Sequence, residues 1–372
     1  MPFGSEGLED GTGLALSGGG YRAALFHLGA VQRLNEVGLL GRLDRVSSVS
    51  GGSIVAGVLA QRWSELAFDG SGRSARLGEL VIAPVRALCA RTIDVMAGLT
   101  GVLPWGDGNR ALARAYDQHL FGGIRLAQLP DRPRFVFNAT NMQTGRSFRF
   151  AKPYMGDYLI GLVERPDVPL AEAVAASSGF PPVLSPQLRR LPPGALRRTD
   201  GATLHDDPRF NRDLVLCDGG AYDNLGLETV WGRYRTLLVS DGGAPFAVEE
   251  APASHRFEQV LRALDIATDQ ARGMRKRQLV DLFERGERKG AYWGIATDPA
   301  GYPLADAMPC PAATRQRLAA MRTRLNAFSA QEQGELINWG YAICDTALRA
   351  FVLAGLQRPR AWPCPDQALG PL

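Results

Sequence analysis

Apolar positions first cluster at Leu14-Ala15-Leu16, a short run that reads as a strand and ends at Ser17 and the glycines Gly18-Gly19-Gly20. Beyond them Leu25, Leu28, Val31 and Leu34 recur at near-helical spacing, and Gly38 supplies a C-terminal stop. The pattern then repeats. A strand over 45–49 runs into Ser50-Gly51-Gly52-Ser53, after which Ile54, Val55, Val58 and Leu59 place an apolar stripe on a second helix. Two successive strand–turn–helix units predict an α/β fold with a largely parallel sheet. From about 64 to 132 the periodicity turns helical with glycine-rich breaks, which reads as a helical insertion or cap. Strand-like runs return at 134–140, 147–150, 214–217 and 236–240, with a proline- and arginine-rich surface loop over 188–212. A mostly charged helix over 256–289, a late strand over 291–296 and a helical stretch over about 312–353 follow. The tail from Pro359 carries further prolines and reads as irregular.

Composition narrows the function classes. Apolar residues make up 45% of the 372 positions and charged residues 22%, which is ordinary for a globular chain able to bury a large core. A net charge of +4 is too mild for a nucleic-acid protein, though it suits weak attraction to an anionic surface. The five cysteines (Cys89, Cys217, Cys310, Cys344 and Cys364) are scattered, and none forms a metal-binding pair, so reduced thiols and no metal are expected. The short acidic N-terminus has no basic start and no apolar signal core, so export is not expected. No stretch is apolar enough to span a bilayer. The nearest, 80–105, is broken by Arg86, Arg91 and Asp94 and reads as a core or interfacial helix pair. Within it Val102, Leu103 and Trp105 either dip into a lipid surface or anchor a glycine-rich loop.

Three constellations carry chemistry. The first is Ser48-Val49-Ser50-Gly51-Gly52 at a strand-to-helix junction, where a tight turn lifts a serine hydroxyl above the sheet edge. It matches a G-x-S-x-G elbow with Ser48 in place of the first glycine; its bland reading is a loop capping a helix. The second is Gly18-Gly19-Gly20-Tyr21-Arg22, whose glycines leave backbone N–H groups uncovered at a helix N-terminus, as an oxyanion or phosphate requires. The same residues spell the dinucleotide fingerprint G-x-G-x-x-A (Gly18, Gly20, Ala23), with Asp44 or Glu36 as the acidic partner. The third is Asp218-Gly219-Gly220 at another strand end, with a near copy in Asp241-Gly242-Gly243. Asp218 is preferred because Asp223-Asn224-Leu225-Gly226 accompanies it; the bland reading is a turn former, with Asp223 as a helix cap. Of the four histidines, only His255 stands downstream of Asp218 in the Ser…Asp…His order. The helix over 256–289 holds nine basic and six acidic residues, with Arg272 and Arg275-Lys276-Arg277 grouped. That grouping suits lipid headgroups or an anionic regulator. Pairs such as Glu258 with Arg262 and Asp281 with Arg285 suit a solvated face instead.

In that order, the glycine-rich loop with its arginine, the elbow serine and the Asp-Gly-Gly resemble the patatin-like phospholipases, whose fold relates to the cytosolic phospholipase A2 catalytic domain. The segment Asn138 to Gly145 resembles the family's strand–turn segment, and Ala176-Ser177-Ser178-Gly179-Phe180-Pro181, continuing to Pro186, resembles its Ala-Ser-x-x-x-Pro segment. The resemblance implies a three-layer α/β fold with a mostly parallel central sheet. It implies a catalytic domain over 1–300, with the insertion at about 64–132, and a C-terminal helical extension over 301–372 packed on the same domain. It further implies ester hydrolysis of membrane phospholipids through a Ser50–Asp218 dyad and an acyl-enzyme, without a cofactor. Gly19 and Gly20 then form the core of the oxyanion hole, with Gly18 and Arg22 beside them, and Ser48, Gly51 and Gly52 shape the elbow. A phospholipid surface is the expected partner of a cytoplasmic, peripherally bound protein; a small anionic regulator and a homo-oligomer are kept as further expectations. The alternatives are an esterase triad through His255 and a dinucleotide-binding oxidoreductase.

Overall fold

The computed structural model describes residues 7–93, 107–252 and 255–372; Val102, Leu103, Trp105 and most of the second half of 80–105 lie outside the described residues. Strand β1 (Glu9–Leu16) leads into helix α1 (Gly20–Glu36) and β2 (Arg45–Ser48) into α2 (Gly51–Arg62), the two units that the periodicity predicts. The insertion holds α3 (Ala83–Cys89) and α4 (Asp107–Tyr116), each adjoining a short π-helical turn. Strands β3 (Arg134–Asn141), β4 (Arg146–Phe150), β5 (Tyr154–Asp157) and β6 (Gly161–Glu164) follow, then helix α5 (Leu170–Ser178). Next come β7 (Gln187–Arg190), which opens the stretch expected as loop, and β8 (Asp213–Asp218). Two short helices, α6 (Gly220–Asp223) and α7 (Glu228–Trp231), precede β9 (Tyr234–Asp241). The charged helix is α8 (Arg256–Glu284), and it is followed by β10 (Lys289–Gly294). The last helical stretch is two helices, α9 (Ala312–Ala320) and α10 (Ala330–Phe351).

Among the described residues the strands form one sheet in the order β10-β9-β1-β2-β3-β4-β5-β6. It is parallel from β10 to β3 and continues as an antiparallel meander from β3 to β6. Strand β8 enters differently. Residues Arg134–Phe137 of β3 pair with β2, whereas Ala139–Asn141 pair antiparallel with β8. Because β4 occupies the other edge of β3 over 137–141, β8 takes up the edge that β2 vacates. The end of β2 and the end of β8 therefore meet head-on.

Alternation along the strands builds a core on each face of this sheet. Leu14 and Leu16 of β1, Leu238 of β9 and Trp293 of β10 join the larger core with α1, α2 and α10. Ala15, Leu237, Val239 and Tyr292 point the other way, onto Val230 of α7 and Leu279 of α8. Helix α10 begins at a capping box, Ser329 with Glu332, and lies across α1 at glycine contacts. A methyl on Gly29 would fall 1.9 Å from the carbonyl oxygen of Ile337, and one on Gly340 1.9 Å from that of Phe26. Beside this crossing Arg33 meets the buried Asp345 at 2.7 Å. The described cysteines are all free thiols, and no described helix is long and apolar enough to cross a membrane.

Candidate active site

Ser50 stands between β2 and α2 with φ 50° and ψ −118°, a conformation that strains any residue bearing a Cβ by about 1–3 kcal/mol. Its neighbours impose that shape. The Ser50 N–H donates to Ser177 at the end of α5, 3.2 Å from the carbonyl oxygen and 3.0 Å from Oγ. Behind it the chain passes so close to β1 and the glycine loop that side chains are excluded. A methyl on Gly51 would lie 2.1 Å from the Gly20 oxygen, and one on Gly52 2.4 Å from the Leu16 oxygen. Ser48, where the elbow pattern has glycine, is fully buried, and Ser53 Oγ lies 2.9 Å from both its Oγ and that of Ser177. The extra hydroxyl is thus absorbed into a buried polar chain under the turn rather than left unpaired.

The glycine loop is shaped as tightly. Gly19 and Gly20 have φ of 139° and 58°, and a methyl on Gly20 would overlap the Thr323 oxygen at 1.7 Å. Both line the cleft above Ser50 at the N-terminus of α1. The expectation for their two companions is corrected. The Gly18 N–H is committed to the Asn224 carbonyl at 2.9 Å. Arg22 is buried outside the cleft, and its guanidinium donates to the carbonyls of Gly242 (3.0 Å), Ala319 (3.1 Å) and Met321 (2.7 Å). Burial among those neutral acceptors lowers its pKa to about 10. Arg22 therefore ties the glycine loop to the β9 end and to the C-terminal end of α9.

Asp218, the last residue of β8, arrives where β2 ends, and its carboxylate lies within hydrogen-bonding reach of the Ser50 hydroxyl. Its Oδ1 accepts the Gly220 N–H at 2.6 Å, and its backbone is held by Gly179 and Thr140. Only 3% of it is exposed, and among the described residues no cation pairs with it. Burial therefore dominates and pushes its pKa up to about 7, against the smaller lowering by Gly220 and Ser50. The rival Asp241 is spent: it accepts the Tyr292 hydroxyl (2.7 Å) and the Gly243 N–H (2.9 Å), with Arg272 3.8 Å away. Asp223 is structural too, holding the Leu225 and Glu228 N–H groups.

None of the described histidines lines the cleft. His27 is fully buried inside α1; Nε2 faces the Ser17 carbonyl at 2.9 Å and must carry the proton, so Nδ1 accepts from Ser240. Burial lowers its pKa to about 4 and keeps it neutral. His255 is exposed at the start of α8. Nor does the dinucleotide fingerprint find its acid. Asp44 accepts the Thr12 N–H at 2.8 Å, back along β1 from the glycines, and Glu36 sits at the far end of α1 with Tyr341.

The cleft, about 390 Å³, has a wall that sequence reasoning missed: the segment 243–249 and the face of α8 carrying Arg262, Thr268 and Arg272. Arg262 stacks on Phe246 at 4.1 Å and pairs with Glu249 instead of the expected Glu258. Arg272 donates to the Ala244 carbonyl (2.7 Å), Arg275 to that of Tyr222 (2.5 Å), and Lys276 covers the Tyr292 ring. The grouped cations thus fasten α8 over the strand ends, while Asp281 with Arg285 forms the expected surface pair. Asn224 also lines the cleft; its place in the motif after Asp218 was the one signal available.

A profile of the family described as Patatin-like phospholipase matches residues 14–231, more than half the chain. Among solved structures, human GIVD cytosolic phospholipase A2 aligns with a TM-score of 0.50 and 14% identity, over 91% of this chain and 58% of its own. The chain thus spans little more than half that protein's length, and at this identity the likeness shows a shared fold. VipD from Legionella pneumophila aligns with a TM-score of 0.39 and 15% identity, over 91% of this chain and 66% of its own. No curated protein matches the chain.

Proposed function

The chain belongs to the patatin-like phospholipase family, and from that premise we propose that it cleaves carboxylic ester bonds of membrane phospholipids with Ser50 as nucleophile and Asp218 as base. The observation that carries this reading is the meeting of two strand ends. A serine strained out of the strand faces a buried carboxylate whose other hydrogen-bond partner among the described residues is a backbone N–H. A carboxylate in water, with a pKa of about 3.9, is too weak a base for a hydroxyl. Raised to about 7, Asp218 is ionised in about half the molecules at neutral pH and holds a proton far more firmly.

In the first half-reaction Ser50 Oγ attacks the ester carbonyl as its proton passes to Asp218. The negative charge that develops on the carbonyl oxygen falls to the N–H groups of Gly19 and Gly20, aided by the N-terminus of α1. The alcohol leaves with the proton from Asp218, and water then releases the fatty acid by the reverse sequence. Phe180, which lines the cleft and is 47% exposed, and the exposed Val248 on the segment 243–249, whose neighbours line the same cleft, suit approach to a lipid surface by a peripheral protein.

The test is fatty-acid release from phosphatidylcholine vesicles with mass-spectrometric mapping of a fluorophosphonate label. Wild type releases fatty acid and is labelled on Ser50; Ser50→Ala does neither. Release by Ser50→Ala at the wild-type rate overturns the reading.

A further inference from the structure

Among the polar side chains of the cleft, Asn224 stands nearest the reacting groups and has no task in that reaction. Asn224 follows α6 and lines the cleft floor, and its carbonyl accepts the Gly18 N–H at 2.9 Å, which pins it to the glycine loop. Three glycines from three separate strand ends make room for its amide. A methyl on Gly18 would sit 2.3 Å from Asn224 Oδ1, one on Gly220 2.8 Å from the same oxygen, and one on Gly243 3.0 Å from Nδ2. The same positions measure its distance from the reacting groups. The methyl on Gly18 would lie 3.2 Å from Ser50 Cβ, and that on Gly220 2.9 Å from Asp218 Oδ1. The amide therefore stands one carbon's width from the nucleophile's side chain and one from the base. Among the described residues no protein donor or acceptor engages it. A half-buried amide that is fixed by its backbone and free of protein partners is open to a ligand.

Resting on the hydrolase reading above, we propose that Asn224 positions the oxygen on which Asp218 acts: the departing alcohol first, the attacking water second. Without a histidine the carboxylate both takes and returns each proton, and alone it gives a water molecule no fixed direction. An amide beside it supplies the second hydrogen bond that orients the water toward the acyl carbon. In deacylation the water oxygen bonds to that carbon, its proton passes to Asp218, and the carbonyl electron pair moves onto the oxyanion. The intermediate collapses as the bond to Ser50 Oγ breaks, Oγ takes the proton from Asp218, and the fatty acid leaves. Asn224 holds the water throughout and is unchanged.

A p-nitrophenyl ester separates the two halves, because its phenolate leaves without a proton. Acylation is then insulated from Asn224, and deacylation is not. The burst of phenolate counts folded, competent sites, so turnover is read per burst site. Asn224→Ala, and Asn224→Leu, which keeps the volume without the hydrogen-bonding atoms, are expected to keep a burst but to turn over about 10- to 100-fold more slowly per site. Turnover per burst site within about twofold of wild type in both variants overturns the proposal. A wild type that shows neither burst nor fluorophosphonate label removes the hydrolase reading itself, and the proposal with it.

Discussion

Replacing Asp218 by asparagine is expected to abolish turnover and, at the same time, to stabilise the protein progressively as the pH rises. The carboxylate is 3% exposed, and burial holds its pKa near 7 in the folded protein, whereas the unfolded chain has the ordinary value of about 3.9. Between those two values the folded state binds the extra proton. By linkage, its stability falls as the pH rises through that window and levels off above the folded pKa. From about pH 5 to about pH 8 the window covers some two units, a loss of roughly 3 kcal/mol at most. Asparagine has the same shape and no charge to desolvate. Subtracting the two urea-denaturation curves cancels every other titrating group. The difference in stability, variant minus wild type, should therefore grow by up to roughly 3 kcal/mol over that range. In parallel, wild-type kcat/KM should rise about tenfold per unit below pH 7 and flatten above it. Parallel stability curves for the two proteins, together with a flat wild-type activity profile from pH 5 to 8, would refute both the raised pKa and its catalytic use.

Two further outcomes are expected. His255→Ala should leave turnover within about twofold of wild type, because the residue is exposed and stands outside the cleft; a loss of tenfold or more would reinstate a triad. Gly340→Ala should lower the thermal midpoint by several degrees, since its methyl would meet the Phe26 carbonyl at 1.9 Å and neither helix backbone can yield cheaply; an unchanged midpoint would contradict so close a crossing.

The parts of the fold that were legible in the sequence are those where one local rule suffices. The units β1–α1 and β2–α2 announce themselves by an apolar run, a glycine turn and a 3.6-residue stripe, and both lie close to where the pattern puts them. The strands β5 and β6 are only four residues each and carry Gly156 and Gly161 at φ of 149° and 105°, so no alternation survives to be read. The helical pattern over 312–353 gave no warning of its break. That break has a tertiary cause: the last turn of α9 and the segment after it offer the carbonyls of Ala319 and Met321 to Arg22, and the segment packs the Thr323 oxygen over Gly20. Arg22 was legible as a companion of the glycine loop, but its direction was not. A guanidinium among glycines looks like an anion ligand until the carbonyls that claim it arrive from the other end of the chain.

The same reasoning explains why the proposed base was harder to read from the sequence than the proposed nucleophile. An elbow serine is a local device, built from small residues and a strand-to-helix turn within a few positions. The standing of Asp218 over Asp241 depends on strand direction, which side-chain periodicity does not encode. Both aspartates end a strand and precede two glycines. Asp241 ends β9, which runs parallel to β1, and its carboxylate is taken by Tyr292 from the neighbouring β10. Asp218 ends β8, which runs antiparallel along the edge of β3 that β2 has left, so its approach is opposite to that of Ser50. Two strands that share one edge from opposite directions bring the residues at their ends together, at the cleft that Ser50, Asp218 and Asn224 line. The glycines at 18, 220 and 243 keep that cleft open around Asn224.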